Sequence, residues 1–193
     1  MKLAVFCPKF TANGDTLKKQ LKEAKENGAE YALCDTLGGI ALAKKAGLKI
    51  IGGTGLNVFN ALTASYLKSL GAEIILTSAE LSKDETNVLC FEAGKGIFAY
   101  GRLPLMCLKN CPVKNGRECK NCDKQAYLTD RLGKKFPILC KDTYVEMLNS
   151  TPLYLADRLD EFSACIISRT RAAVNSLPAM RFIPFSPSLT TNH

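Results

Sequence analysis

Cysteine is the residue type whose spacing points first to chemistry. Cys111, Cys119, Cys122 and Cys140 form a Cys-x7-Cys-x2-Cys-x17-Cys series. Two thiolates separated by two residues can reach one metal together, and two more complete a tetrahedral set. Pro112, Gly116 and Asn121 lie among them and suit a loop folded around an ion rather than a core. Zinc and an iron–sulfur cluster both fit, because spacing alone does not separate two all-thiolate sites. Cys107 stands nearby as a fifth thiol. Cys7, Cys34, Cys90 and Cys165 sit in apolar surroundings and read as small buried hydrophobes. Nine cysteines is an odd number, which speaks against a disulfide framework.

The single histidine, His193, is the last residue of the 193. A chain-terminal imidazole is a poor positioned base. Ser-His-Asp and Cys-His catalysis and HExxH zinc sites therefore drop out. The formal net charge of +8 is concentrated around the cysteines. Between Lys109 and Lys141 nine basic residues face three acidic ones: Lys109, Lys114, Arg117, Lys120, Lys124, Arg131, Lys134, Lys135 and Lys141 against Glu118, Asp123 and Asp130. Such an excess suits a polyanion such as RNA, or a carboxylate substrate, and equally offsets four thiolates. Ile51 to Asn57 is a glycine-rich strand-to-helix turn that matches neither GxGxxG nor the P-loop, so it reads as a tight turn.

The elements that must position these groups alternate strand and helix through the first hundred residues. Strands are expected at Leu3–Cys7, Glu30–Cys34, Leu48–Ile51, Glu73–Thr77 and Gly96–Tyr100. Helices are expected at Asp15–Asn27, Leu37–Ala46, Asn57–Leu70 and Ser82–Leu89. Gly28-Ala29-Glu30-Tyr31-Ala32-Leu33 echoes Gly71-Ala72-Glu73-Ile74-Ile75-Leu76, each after a lysine-bearing helix. Short consecutive units predict an α/β fold, an incomplete parallel (β/α) TIM-like barrel, since a complete one takes about 250 residues. In such a barrel Glu80 and Arg102 fall at carboxyl ends of strands, where reactive groups collect, or pair with one another at the rim.

Three segments are expected: a partial barrel over 1–102, a cysteine-rich module with a hairpin over 103–174, and a disordered tail over 175–193. The module should be loop-rich from Cys107 to Cys122, with a hairpin from Tyr127 to Leu139 turning at Leu132-Gly133-Lys134. Strand-like runs follow at Pro152–Asp157 and Ala164–Ser168, separated by an acidic turn. No apolar run reaches the roughly 18 residues of a membrane helix. The apolar start is shorter than the roughly 7 to 15 residues of a secretory signal. A cytoplasmic protein without membrane partners is expected.

The chain also resembles a family, the collagenase-like peptidases of family U-thirty-two. The resemblance is carried by Gly55-Leu56-Asn57-Val58-Phe59-Asn60, Leu76-Thr77-Ser78-Ala79-Glu80-Leu81 and Tyr100-Gly101-Arg102-Leu103-Pro104-Leu105-Met106. It continues through the cysteine loop, Leu128-Thr129-Asp130-Arg131, Phe136-Pro137 and Asn149-Ser150-Thr151-Pro152-Leu153-Tyr154-Leu155, in family order. The family name implies proteolysis. Other members are implied in oxygen-independent hydroxylation of RNA bases or quinones, holding a four-iron cluster through four cysteines. The RNA-directed ones draw on prephenate. By this resemblance Cys111, Cys119 and Cys122 fall on cluster-ligand positions, and Glu80 and Arg102 face the substrate side of the barrel mouth.

The resemblance departs in two places. The family's fourth cysteine lies about where Thr143 stands, whereas this chain has Cys140. The early barrel strands are absent, and the chain after Arg169 does not follow the family. The expectation is thus an RNA-modifying enzyme, or a truncated piece of one completed by a second chain, acting on tRNA or rRNA. A metal-dependent peptidase and a non-catalytic zinc-stapled binding module are the alternatives.

Overall fold

The computed structural model describes residues 2–11, 13–114, 126–141, 143–163, 165–167 and 180–183. The chain divides into two compact units, one of residues 1–99 with the chain from 155 onward, the other of Tyr100–Tyr154.

The first unit is a mixed α/β structure. Its strands and helices alternate as β1 (Lys2–Phe6), α1 (Gly14–Glu26), β2 (Tyr31–Cys34), α2 (Leu37–Lys45), β3 (Lys49–Gly52), α3 (Ala61–Ser69), β4 (Ala72–Leu76), α4 (Lys83–Val88) and β5 (Gly94–Phe98). All five strands pair in parallel with their sequence neighbours. Two later strands of the same unit, Cys165–Ile167 and Met180–Ile183, extend the sheet in parallel beside β5 and β1. Strands in sequence order need each connecting helix to return on the same side of the sheet. The packing agrees: Leu17 and Leu21 of α1, Ile40 and Ala43 of α2, and Ala64 and Leu67 of α3 share one buried cluster with Val5, Cys7, Ile50 and Ile75. A second, smaller cluster of Ala4, Tyr31, Leu33, Ile51 and Leu76 contains no helix residue. Strands covered on both faces read as continuous apolar runs rather than alternating ones, as Tyr31–Cys34 does.

Each helix starts where a side chain replaces a missing backbone acceptor. Asn13 Oδ1 accepts from Asp15 N–H, Thr36 Oγ1 from Gly39 N–H and Asn60 Oδ1 from Thr63 N–H. Ser82 and Glu85 form a capping box at α4. The helix expected from Asn57 therefore begins at Ala61. Asn57, at φ 50°, instead closes a 3-10 turn at Thr54–Leu56, and Val58 bridges to Thr77.

Two lysines tie successive helices of this unit together. Lys25 Nζ donates to the Gly47 carbonyl at 2.8 Å, and Lys44 Nζ donates to the Leu70 carbonyl at 3.0 Å. Each cation thus meets carbonyl groups at the end of the following helix, where the helix dipole is negative. Because both ammonium groups are exposed, Lys25→Met and Lys44→Met are expected to cost only about 0.5 kcal/mol each. A small shift of the urea midpoint at unchanged slope checks this, and a shift shrinking with added salt identifies the charge as its cause.

The second unit is antiparallel. It contains β6 (Tyr100–Gly101), β7 (Pro104–Leu108), β8 (Ala126–Thr129), β9 (Lys135–Cys140), β10 (Val145–Leu148) and β11 (Leu153–Tyr154). Strands β7, β10, β9 and β8 form one sheet in that order, and β6 pairs with β11. The expected hairpin is β8–β9. Asp130 Oδ1 accepts from Leu132 and Lys134 N–H at 2.8 Å, and Gly133 takes the left-handed φ of 76° that this turn requires.

Four expectations need correction. Strand β5 ends at Phe98 rather than Tyr100, because Tyr100–Gly101 pairs with Leu153–Tyr154 in the other unit. Cys107 lies on a strand, held by pairing with Glu146, and not in a loop. The segment expected over 103–174 gives way at Leu155, where the chain returns to the first unit and the strand Cys165–Ile167 (β12) joins β5. Finally, Met180–Ile183 (β13), within the expected disordered tail, is a strand paired with β1. Its apolar residues gain a ladder of backbone hydrogen bonds that no local periodicity announces.

Candidate metal centre at one end of the antiparallel sheet

Strand direction decides which cysteines can meet. β7 and β9 both flank β10 in antiparallel pairing, so they run parallel to each other and leave the sheet at the same end. Leu108 of β7 and Cys140 of β9 are both opposite Val145. Two strand spacings separate them, about 10 Å. Cys111 stands three residues beyond Leu108, in a turn where Lys114 N–H donates to the Cys111 carbonyl at 3.2 Å. At that same end β8 begins, Ala126 pairing with Ile138. The chain from Lys114 to Ala126, which carries Cys119 and Cys122, therefore starts and finishes at the end where β9 delivers Cys140.

Cys107, Cys111 and Cys140 are thiols rather than disulfides. Cys111 and Cys140 are half-buried, while Cys107 is exposed. Cys119 and Cys122 lie outside the described residues. Among the described residues no group of three or more His, Cys, Asp or Glu side chains is disposed to hold a metal ion. Cys107 and Cys140 also differ in face. Cys107 is opposite Glu146 whereas Cys140 is opposite Val145, and consecutive residues of β10 point to opposite sides. The pleat thus separates Cys107 from Cys140.

The basic stretch is divided by the same geometry. Lys109, Lys114 and Lys141 are exposed at the cysteine end. Arg131, Lys134 and Lys135 are exposed at the β8–β9 turn, at the other end of β9 and roughly 17 Å away. Arg117, Lys120 and Lys124 lie outside the described residues. A run that is continuous in sequence becomes two groups because the hairpin reverses the chain.

Glu80 and Arg102 belong to different units. Glu80 is exposed in the turn after β4, its N–H donating to Ser78 Oγ at 3.3 Å. Ser78 is buried, and its hydroxyl donates to Asn57 Oδ1 at 2.8 Å. Glu80 is thus held beyond the carboxyl end of a parallel strand, as expected. Arg102 Nη1 donates to the main-chain carbonyls of Asn149 (2.8 Å) and Ser150. That guanidinium ties the Tyr100–Met106 stretch to the Asn149–Leu155 stretch, a task internal to its own unit.

The carboxyl ends of β1, β2 and β3 hold a group that sequence reasoning missed. Asp35, with a side chain only 1% exposed, lies 4.0 Å from Lys9 Nζ and accepts Gly55 N–H at 3.0 Å. A buried carboxylate persists when it is paired and hydrogen-bonded. Here it anchors the glycine-rich turn after β3, which explains that motif without a phosphate. Beside it, Cys7 and Cys34 are fully buried with their sulfurs 3.5 Å apart. Contact with Cys7, then burial, then the Asp35 carboxylate push the Cys34 thiol far up and keep it protonated. The reading of Cys7 and Cys34 as buried residues holds. Cys90 differs: it is exposed, just past α4. For Cys165 only the backbone is described.

Against protein-family models, curated proteins and solved structures, the chain has no match. What the described geometry defines is an α/β unit with a parallel sheet and a separate antiparallel unit bearing thiols at one end. No helix among the described residues is long and apolar enough to cross a membrane.

Proposed function

We propose that the protein is a family U-thirty-two-like enzyme that holds an iron–sulfur cluster on its antiparallel unit and acts in hydroxylation of RNA bases. The observation that carries this reading is convergence. Cys111, Cys140 and both ends of the segment bearing Cys119 and Cys122 belong to one end of a single sheet. The donors fit the group, since an all-thiolate set suits soft, iron-bearing or zinc centres. Cys111, Cys119, Cys122 and Cys140 would hold it. When bound, a four-iron cluster supplies one-electron transfer.

The remaining roles fall to the chain's own residues. Lys109, Lys114 and Lys141, exposed at the cysteine end, hold a phosphate backbone there, and the hairpin cations supply a second point of contact. Glu80 faces the substrate side at the carboxyl end of β4. The parallel sheet is read as part of a TIM-type barrel, with the helix-free cluster of Ala4, Tyr31, Leu33, Ile51 and Leu76 as its interior. Strand order and one-sided helices support that over a doubly wound sheet. The peptidase alternative fares worse, because four thiolates around one ion leave no open position for water.

Anaerobic purification followed by iron, zinc and acid-labile sulfide analysis tests the reading. Iron and sulfide in near-equal amounts, with broad absorbance near about 400 nm, are expected. One zinc without sulfide would replace this reading with a zinc-stapled binding module. For the RNA part, affinity for tRNA or rRNA should fall steeply with salt, and affinity indifferent to salt removes it.

A further inference from the structure

We infer that Cys7 and Cys34 are a modification site: a dithiol that closes to an intramolecular disulfide across the carboxyl ends of β1 and β2. The two residues follow directly on the parallel register Phe6↔Leu33, and Cys7 N–H donates to the Leu33 carbonyl at 2.9 Å. Residues facing each other on neighbouring strands have Cα atoms about 4.8 Å apart, inside the roughly 4.4–6.8 Å that a disulfide spans. Their sulfurs already stand 3.5 Å apart. Position 39, near the start of α2, is glycine; a Cβ there would stand 3.6 Å from the Cβ atoms of both cysteines. No side chain at that position restricts the rotations that bring the sulfurs together. Packing alone would be served by any two small apolar residues, and would not require sulfur against sulfur.

The oxidant is a low-molecular-weight disulfide. One cysteine loses its proton to solvent and its thiolate attacks the oxidant, forming a mixed disulfide and releasing one small thiolate. The second cysteine, deprotonated in turn, displaces the other small thiolate and forms the Cys7–Cys34 bond. Two protons and two electrons leave the pair, and one small disulfide becomes two small thiols. Both sulfurs are fully buried, so the reaction runs from a state in which the strand ends have opened. Exposed Cys90 reacts first. The pair acts as a slow covalent lock beside Lys9 and Asp35, and it shares no residue with the metal centre proposed above.

The test uses the full chain, purified anaerobically and incubated with oxidised glutathione at a urea concentration below the unfolding transition. Peptide mapping is expected to find Cys7 joined to Cys34, two hydrogen masses lighter and restored by dithiothreitol. The link closes a loop of about 27 residues, so the oxidised protein should melt about 5 °C or more higher. In Cys34→Ala, Cys7 is expected to carry glutathione instead. Separate glutathione adducts on Cys7 and Cys34 of the wild type would overturn the inference. So would unmodified Cys7 and Cys34 after Cys90 has reacted to completion. The mapping on wild type stands even if the variant does not fold.

Discussion

Cys140→Ala, purified anaerobically, is expected to carry at least about tenfold less bound metal than wild type, whereas Cys107→Ala keeps the wild-type content. Both residues are cysteines on strands that flank β10; the sequence places Cys140 in the four-cysteine series and Cys107 as a fifth thiol nearby. The register separates them. Cys140 ends its strand opposite Val145, at the edge where the Cys111 turn begins, while Cys107 is one residue further in, opposite Glu146 and on the other face. Cys107 could share the face of Cys140 only if β7 slipped by one residue, which would turn every side chain of β7 over. Metal binding can contribute on the order of 10 kcal/mol to a small thiolate-ligated module, so losing a ligand should also lower thermal stability. The reverse result, metal lost with Cys107 and kept without Cys140, would refute the ligand assignment while leaving a metal centre in place.

The second large effect is expected in the glycine turn above Asp35. A Cβ at Gly55 would stand 2.6 Å from Asp35 Cβ and 2.9 Å from the Asp35 main-chain oxygen. A Cβ at Gly53 would collide chiefly with Asp35 Oδ1, with the carboxyl carbon at 3.1 Å and the Cys34 carbonyl oxygen at 3.3 Å. Both substitutions overpack, at a cost of about 1–3 kcal/mol, but they collide with different atoms. In an Asp35→Ala background the carboxylate is gone, and most of the Gly53→Ala cost is expected to vanish. The Gly55→Ala cost should persist, because alanine retains Cβ and the main-chain oxygen. A double-mutant cycle by urea unfolding measures this difference. Equal coupling of both glycines to Asp35 would mean that the turn relaxes as a whole and that the close approach does not decide its stability.

Much of the local framework could be read from residue order. Helices α1, α2 and α4 begin and end within about two residues of where polar caps and glycine stops place them. The β8–β9 turn follows from Asp130 and Gly133, whose conformational preferences act over a few residues. Asn57 and Asn60 show the limit. Both can start a helix, but Asn57 is drawn into tertiary contacts, the Ser78 hydroxyl on its Oδ1 and the bridge from Val58 to Thr77, and closes a 3-10 turn while Asn60 caps α3. The strand Met180–Ile183 shows it again, since a partner some 180 residues earlier supplies its hydrogen bonds.

The candidate site divides in the same way. Thiol type, the Cys-x2-Cys spacing and the surrounding positive charge are covalent facts of the chain, available before folding. Which side of a pleat a thiol occupies is set by pairing across strands, so Cys107 and Cys140 become distinguishable only in three dimensions. Pairing also splits the basic run between two ends of β9. It converts Asp35 and Lys9, and Cys7 and Cys34, from residues far apart in order into neighbours. Short-range preferences act through bonds and a few residues of chain, and they settle which elements form. Contacts between distant segments depend on strand order and register, and those settle which side chains meet.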